Sequence, residues 1–364
     1  MKRQGWALAL ILMAAGGVAR AQWEIENSGT TADLRGINNV GGGVAWASGT
    51  NGTVLRTEDG GYLWQACAVP PGAEHLDFRG IQAFDANTAI VMSSGKGDLS
   101  RLYKTTDGCQ TWKLTFTNPD RDGFWDAIQL EPLTGPFADQ HYAIILGDPV
   151  GGSFVIEWSN DSGDTWKRLR LPPSLPGEGA FAASNSALLA DWWDELFLFG
   201  TGGPRGVRIF ENIQSDDWYP RQIPMFDGGS SRGIFSIGLK SLGYPIGMVA
   251  VGGDYKKPND MGIAVYSAKR WLHWSAAAAP PHGYRSAVAY DADTKTWITV
   301  GPNGTDISTD DGKNWRALHP DAALHETPDA DRNWNALSLP FVVGPHGRTG
   351  KLNANALDAA KGSR

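Results

Sequence analysis

The chain has 364 residues, among them 46 Gly, 16 Trp and two Cys, and a formal charge of −7. An acidic chain with no basic stretch does not suit nucleic acid, whose phosphates are held by clustered Lys and Arg. No His/Cys metal spacing, serine nucleophile elbow or phosphate loop occurs, so neither a metal nor another cofactor is expected.

The first element is an export signal. Lys2 and Arg3 precede an apolar run over residues 6–18, and Ala19-Arg20-Ala21 supplies a small-x-small cleavage site before Gln22. The run is too short to anchor the chain across a bilayer, and residue 22 is not Cys, so no lipid anchor is indicated. Cleavage after Ala21 removes Lys2, Arg3 and Arg20 and moves the formal charge from −7 to −10. The mature protein is expected to be exported, periplasmic or extracellular, and monomeric.

After the signal, a turn pattern recurs. Ser159-Asn160-Asp161-Ser162-Gly163-Asp164-Thr165-Trp166 is the cleanest copy. Thr57, Asp59, Gly61 and Trp64 form a second; Thr105, Asp107, Thr111 and Trp112 a third, with Cys109 in the Gly place; Ser308, Asp310, Gly312 and Trp315 a fourth. The Asp can accept backbone N–H groups while Gly tolerates positive φ, and the Trp begins the next strand. Trp64, Trp112 and Trp166 lie about fifty residues apart, and Trp218, Trp274 and Trp315 continue the series. Such a period, built from short strands and Gly-rich turns, predicts an all-β propeller. Its blades fall near 35–70, 79–119, 123–173, 178–226, 231–279 and 284–320, with a last unit over 334–352 that is one strand short. Residues 22–28 can supply that strand and close the ring, which leaves no open edge. Seven blades are expected, six or eight being the neighbouring counts, in one domain over 22–352 with a frayed tail over 353–364.

The turn carboxylates (Asp59, Asp107, Asp161, Asp310) and their Trp partners are read as structural. Cys67 and Cys109 sit near equivalent turns of adjacent blades; they can pair in an oxidising compartment or stay separate, since spacing alone does not set their distance. Candidate binding residues come from the blade openings. Leu34-Arg35-Gly36-Ile37, Phe78-Arg79-Gly80-Ile81, Ser231-Arg232-Gly233-Ile234 and Tyr284-Arg285-Ser286-Ala287 align, and Asp126 and Glu178 come from the intervening openings. On that alignment Arg35, Arg79, Arg232 and Arg285 ring one channel mouth, with Asp148, Asp254 and Lys257 nearby. The ring either binds a carboxylate or phosphate or pairs with neighbouring acids and ties blades together.

The turn pattern is the Asp box, or BNR repeat, of sialidases, sortilin-type receptors and lumenal photosystem II stability/assembly factors. The chain most resembles bacterial relatives of the last group, through Thr53-Val54-Leu55-Arg56-Thr57-Glu58-Asp59-Gly60-Gly61, Leu102-Tyr103-Lys104-Thr105-Thr106-Asp107-Gly108, Gly252-Gly253-Asp254-Tyr255-Lys256-Lys257-Pro258 and the Arg-Gly-Ile triplets. The resemblance covers nearly the whole mature chain. It implies a non-catalytic propeller that binds a polypeptide, such as a membrane-protein client with an anionic segment or C-terminus; the photosystem client itself is not carried over. The alternative is a sialidase-like glycosidase or acidic-glycan binder, with Asp126, Glu178 and Asp254 as its carboxylates. Against it, the sialidase Arg-Ile/Leu-Pro element is missing ahead of the first Asp box, and Arg170-Leu171-Pro172 follows the third.

Overall fold

In a computed structural model of the chain, residues 22–132, 141–169, 172–191, 196–213, 217–223, 228–241, 245–267, 273–322, 326–353 and 357 are described. The expected signal segment, the Arg170-Leu171 pair and most of the expected tail lie outside them.

The described residues form seven four-stranded antiparallel sheets. Blade 1 comprises Leu34–Gly41, Val44–Gly49, Val54–Thr57 and Gln65–Ala66; blade 2, Phe78–Ala83, Ala89–Ser93, Arg101–Thr105 and Lys113–Thr117. Blade 3 comprises Trp125–Pro132, His141–Val150, Ser153–Ser159 and Lys167–Arg168; blade 4, Leu188–Asp191, Leu196–Gly200, Arg208–Ile213 and Tyr219–Gln222. Blade 5 comprises Arg232–Ser241, Pro245–Asp254, Ile263–Ser267 and Ser275–Ala276; blade 6, Ala287–Asp291, Thr296–Gly301, Gly304–Ser308 and Arg316–Leu318. Blade 7 takes Ala336–Ser338, Phe341–Val343 and Arg348–Leu352 from the end of the chain and its outermost strand, Trp23–Asn27, from the beginning. Trp23 pairs with Leu352 and Asn27 with Arg348. Seven blades and closure by the first strand are therefore both present. The first strands of successive blades touch one another around the ring, so they are the innermost.

Strand alternation explains how blades stack. In blade 2, Ala89 and Val91 pack into one cluster with Trp46 and Val54 of blade 1, while Ile90 and Met92 pack into another with Trp125 and Ile145 of blade 3. A strand covered on both faces reads as a continuous apolar run, as Ala89-Ile90-Val91-Met92 does. Such a cluster lies between each pair of neighbouring blades; that of blades 7 and 6 holds Trp23, Trp334, Ile298 and Leu357. Leu357 is wholly buried in it.

One hydrogen-bond pattern repeats at four turns. The Thr57, Thr105, Ser159 and Ser308 hydroxyls accept the N–H of Gly61, Cys109, Gly163 and Gly312, at 2.9–3.1 Å. Asp59, Asp107, Asp161 and Asp310 accept the N–H of Leu63, Thr111, Thr165 and Asn314. Side-chain and backbone hydrogen bonds from Thr111 lower the Asp107 pKa to about 2. Each carboxylate is thus occupied by its own turn, and Trp64, Trp112 and Trp315 are buried beside it. Cys67, just past the last strand of blade 1, is disulfide-bonded to Cys109 in the blade 2 turn, with Cα atoms 5.3 Å apart.

Candidate functional site: a stoppered axial cup

A β-bulge aims one side chain at the axis in each of blades 1, 2, 3 and 5. In blade 1, Leu34 pairs with Gly49 and Gly36 with Ser48, leaving Arg35 unpaired between them. The same register break isolates Arg79 in blade 2, Asp126 in blade 3 and Phe235 in blade 5. Ser286 and Asn335 stand in the same place, immediately before the pairs Ala287↔Val300 and Ala336↔Val343. A bulge re-aims its extra residue, and all six of these side chains line one cavity on the axis. The residue before the bulge is buried against a neighbouring blade (Leu34, Phe78, Trp125, Ile234, Trp334), and the residue after it is small, because blades approach closely there. A Cβ on Gly36 would lie 3.0 Å from the Arg79 carbonyl oxygen.

Blade 4 departs from this rule. Its opening pairs Gly179 with Gly202, yet its innermost strand begins only at Leu188. The residues between cross the channel. The Ala182 carbonyl accepts Arg79 Nη1 of blade 2 at 2.9 Å. Asn185 Oδ1 accepts the Ile128 N–H of blade 3 at 2.8 Å, and its carbonyl accepts Gln129 Nε2 at 2.9 Å. Ser184 Oγ donates to the Ser286 carbonyl of blade 6 at 2.6 Å. Ser186 Oγ donates to Ser236 Oγ of blade 5 at 2.7 Å, and its carbonyl accepts the Ile237 N–H. These partners run from the axial positions themselves, Arg79 and Ser286, to Gln129, three residues deeper along its strand than Asp126. Residues 182–186 are therefore a stopper, and Ala182 and Ala183 form part of the floor of the cup above it. Asn185 has φ +64°, a left-handed conformation that Asn tolerates better than most residues.

The cup has a volume of about 460 Å³ and takes lining from all seven blades. Phe181 stacks on Phe235 at 4.0 Å, Tyr284 meets Phe235 edge-on at 4.8 Å, and Tyr255 packs beside them. Arg79 Nε bonds Asp77 at 2.8 Å, whereas the ion pairs of Arg35, to Asp33 and Asp77, are 3.7 Å long. Asp126 is 1 % exposed and its Oδ2 has no hydrogen-bond partner. Burial, reinforced by the Asp148 charge and opposed by Arg79, pushes the Asp126 carboxyl well above its usual range. Burial raises Asp148 to about 6, although its Oδ1 accepts the Ala180 N–H. A second hollow of about 670 Å³ adjoins the cup, sharing Phe124, Asp148, Ala180 and Phe181, and continues over Pro149, Leu175 and Pro176 toward the rim.

The structure thus brings Arg35, Arg79, Asp126 and Asp148 together, and separates the other expected site residues from them. Arg285 aligns with Leu34 and Phe78, one residue before the bulge, and is 0 % exposed. It is bonded to Asp306 through Nε and Nη2 and to the Tyr284 carbonyl. Arg232 pairs in register with Asp254, three residues before the bulge residue Phe235. Glu178 is buried within blade 4, where Arg208 and Thr201 bind its carboxylate. Asp254 lies outside the cup; against its burial, hydrogen bonds from the Ser231 hydroxyl and Lys256 N–H hold it below the usual range. Lys257 is exposed on the same turn. The four-arginine ring is therefore two arginines, and of the suggested catalytic set Asp126, Glu178 and Asp254, Asp126 alone faces the cup. The sequence reading missed the aromatic wall and the stopper. Large-x-small triplets such as Trp125-Asp126-Ala127, Ile234-Phe235-Ser236 and Trp334-Asn335-Ala336 carry the correct alignment.

Fold and site together define a seven-bladed β-propeller scaffold with a one-ended axial cup. Among solved structures its fold is similar to that of YCF48. YCF48 bound to D1 peptide matches at a TM-score of 0.60 and 16% identity, over 91% of this chain and 96% of that one. YCF48 from Cyanidioschyzon merolae matches at 0.60 and 19%, over 92% and 100%. An ancestral GH74 enzyme matches at 0.55 and 13% identity, over 87% of this chain and 40% of that one. No family profile matches the chain, and no curated protein matches it in sequence.

Proposed function

We propose that this protein is an exported, non-catalytic scaffold that binds a polypeptide end in its axial cup and assists assembly of a membrane or periplasmic protein. The observation that carries this reading is the cup itself: closed below by the stopper, charged and aromatic inside, and continuous with a hollow that can take the rest of an extended chain. A stoppered axis admits a chain end or a loop tip but not a threaded strand. Arg35, whose acidic partners stand beyond hydrogen-bond reach, and Arg79 are placed to receive a terminal carboxylate. The peptide-bound YCF48 structure supports a polypeptide ligand. The disulfide and the basic-apolar start of the chain support an oxidising, exported location.

Affinity capture from native membranes tests the proposal, comparing the mature protein with an Arg35→Ala, Arg79→Ala double variant. Peptides ending in a free carboxylate should bind more tightly than their carboxamides, and less tightly as salt rises. Equal capture by the double variant would count against the site. The glycosidase reading has one observation in its favour, two carboxylates (Asp126 and Asp148) in one cup. Glycan hydrolysis abolished by Asp126→Asn would replace the scaffold reading with it.

A further inference from the structure

The charges lining the cup do not balance as a purely anion-binding site. Arg35 and Arg79 face Asp33 and Asp77, one acid for each base. Asp126 and Asp148 are left over, both from blade 3, and both line the same cavity. Blades 4 and 7 present Ala180, Phe181, Ala182, Ala183, Trp334 and Asn335 there, and blades 5 and 6 present Tyr255 and Tyr284 as their titratable groups. No lining residue supplies a cation to the leftover pair except Arg79, which is already bonded to Asp77 and the Ala182 carbonyl. A buried carboxylate oxygen without a partner costs free energy unless a donor arrives or a proton neutralises it.

We propose that the cup contains a second subsite, in which Asp126 and Asp148 bind the ammonium or guanidinium group of a basic residue near the end of the bound chain. Aromatic faces in the same cavity, from Phe181, Phe235 and Tyr255, suit the alkyl stem and the cation. Among the described residues no group of three or more His, Cys, Asp or Glu is arranged to hold a metal ion, which favours an organic cation. This rests on the chain-end reading above and completes it. The preferred ligand end is zwitterionic, with its carboxylate on the arginines and its cation on the acids. Binding a cation favours the ionised acids, so it expels whatever proton the empty pair holds. Affinity for the cationic ligand is then greatest above about pH 6, where Asp148 ionises, and declines as the pH falls below it.

The test is calorimetry of the mature protein with short alanine-based peptides, each carrying lysine or norleucine at one position near the end, as free carboxylates and as carboxamides. The best lysine peptide should bind about tenfold or more tighter than its norleucine twin at pH 8, as a charge-assisted hydrogen bond implies. The advantage should shrink toward pH 5, and binding at pH 6 should release protons to the buffer. Asp126→Asn and Asp148→Asn should each erase most of the lysine advantage while leaving the carboxylate preference intact; Asp148, less deeply buried than Asp126, serves should the Asp126 variant not fold. Equal binding of lysine and norleucine peptides at every pH, with the carboxylate preference kept, overturns the cationic subsite and leaves the proposed function standing. A lysine advantage without a carboxylate preference does the reverse. No binding by any peptide overturns both.

Discussion

Replacing Arg285 with Met separates a structural arginine from a ligand-binding one. The side chain is fully buried, and Asp306, itself 1 % exposed, receives its Nε at 2.7 Å and its Nη2 as well. Asn303 Oδ1 accepts Nη1 at 2.5 Å, and the Tyr284 carbonyl accepts it at 2.8 Å. Met fills similar volume but strands the Asp306 carboxylate, with His282 Nδ1 at 2.8 Å as its remaining side-chain neighbour. Breaking a buried ion pair from one side costs about 3–5 kcal/mol, a large share of a typical stability of about 5–15 kcal/mol. The sign with pH follows from the orphaned acid. In the parent, against burial, the His282 hydrogen bond and the Arg285 charge hold Asp306 below its usual range. In the variant burial dominates and raises its folded pKa above the unfolded value. The variant then loses more stability at pH 8 than at pH 5, because the unfolded chain releases that proton first. Urea unfolding at both pH values reads this directly, and adding Asp306→Asn should recover part of the loss. A loss below about 1 kcal/mol, or peptide binding abolished in a variant of parental stability, would refute the placement of Arg285 in the wall rather than in the cup.

Four further outcomes are expected. Replacing Cys67 and Cys109 together by Ser should cost about 4 kcal/mol by the loop-entropy relation for their separation of 42 residues, seen as a lowered midpoint in thermal unfolding; an unchanged midpoint would show that the link does not constrain the unfolded chain. Asn185→Ala removes the acceptor of a buried Ile128 N–H and should cost about 1–3 kcal/mol, with faster hydrogen exchange at Ile128; unaltered exchange would mean that the stopper does not hold that amide. Deleting residues 22–28 removes the outer strand of blade 7 and the buried Trp23, so limited proteolysis should cut Arg348–Leu352 first; a protease-resistant truncated ring would show that closure is dispensable. Stability should rise as pH falls from 8 toward 5, because burial raises Glu26 and Glu131 to about 7 and Asp148 to about 6, so each binds its proton more readily folded than unfolded. A flat denaturation midpoint across that window would contradict those three burials.

What was legible in the sequence follows from where each signal arises. Asp161, Gly163 and Trp166 form a turn whose bonds run between residues two to four apart, so local sequence carries it fully, and its period carries the blade count. Closure was legible because a last blade with three strands needs a fourth, and the residues just before blade 1 read as a strand without a blade of its own. The cup was legible only in part, because a bulge shifts the register by one residue and the shift leaves no mark on composition. Arg35 and Arg79 are followed by Gly36 and Gly80 and sit in the bulge; Arg232 is followed by Gly233 and does not, because Gly233 makes room for the Gly202 backbone, whose Cα lies 2.8 Å from the place of its missing Cβ. The same dipeptide meets two different demands for space. Matching the Arg-Gly pairs therefore aligned blade 5 three residues out, whereas matching the buried residue before the bulge and the small residue after it brings Phe235 beside Arg35 and Asp126.

The stopper was harder still, since its bonds join residues 182–186 to partners as far away as Ile81 and Ser286 and no spacing encodes them. The one local sign is the run Ala182-Ala183-Ser184-Asn185-Ser186-Ala187, placed where other blades already have a strand. Small side chains allow it to pass between innermost strands, and its hydroxyl and amide groups satisfy backbone groups that the axis would otherwise leave to water. That exchange makes the site one-ended. With the channel open, the cup would be a pore lined by two arginines and two acids, wet on both sides. With it stoppered, Asp126 is buried at the inner end of a closed hollow and its charge becomes conditional on what enters. The character of this cup is thus set as much by the six small residues that close it below as by the charged side chains that line it.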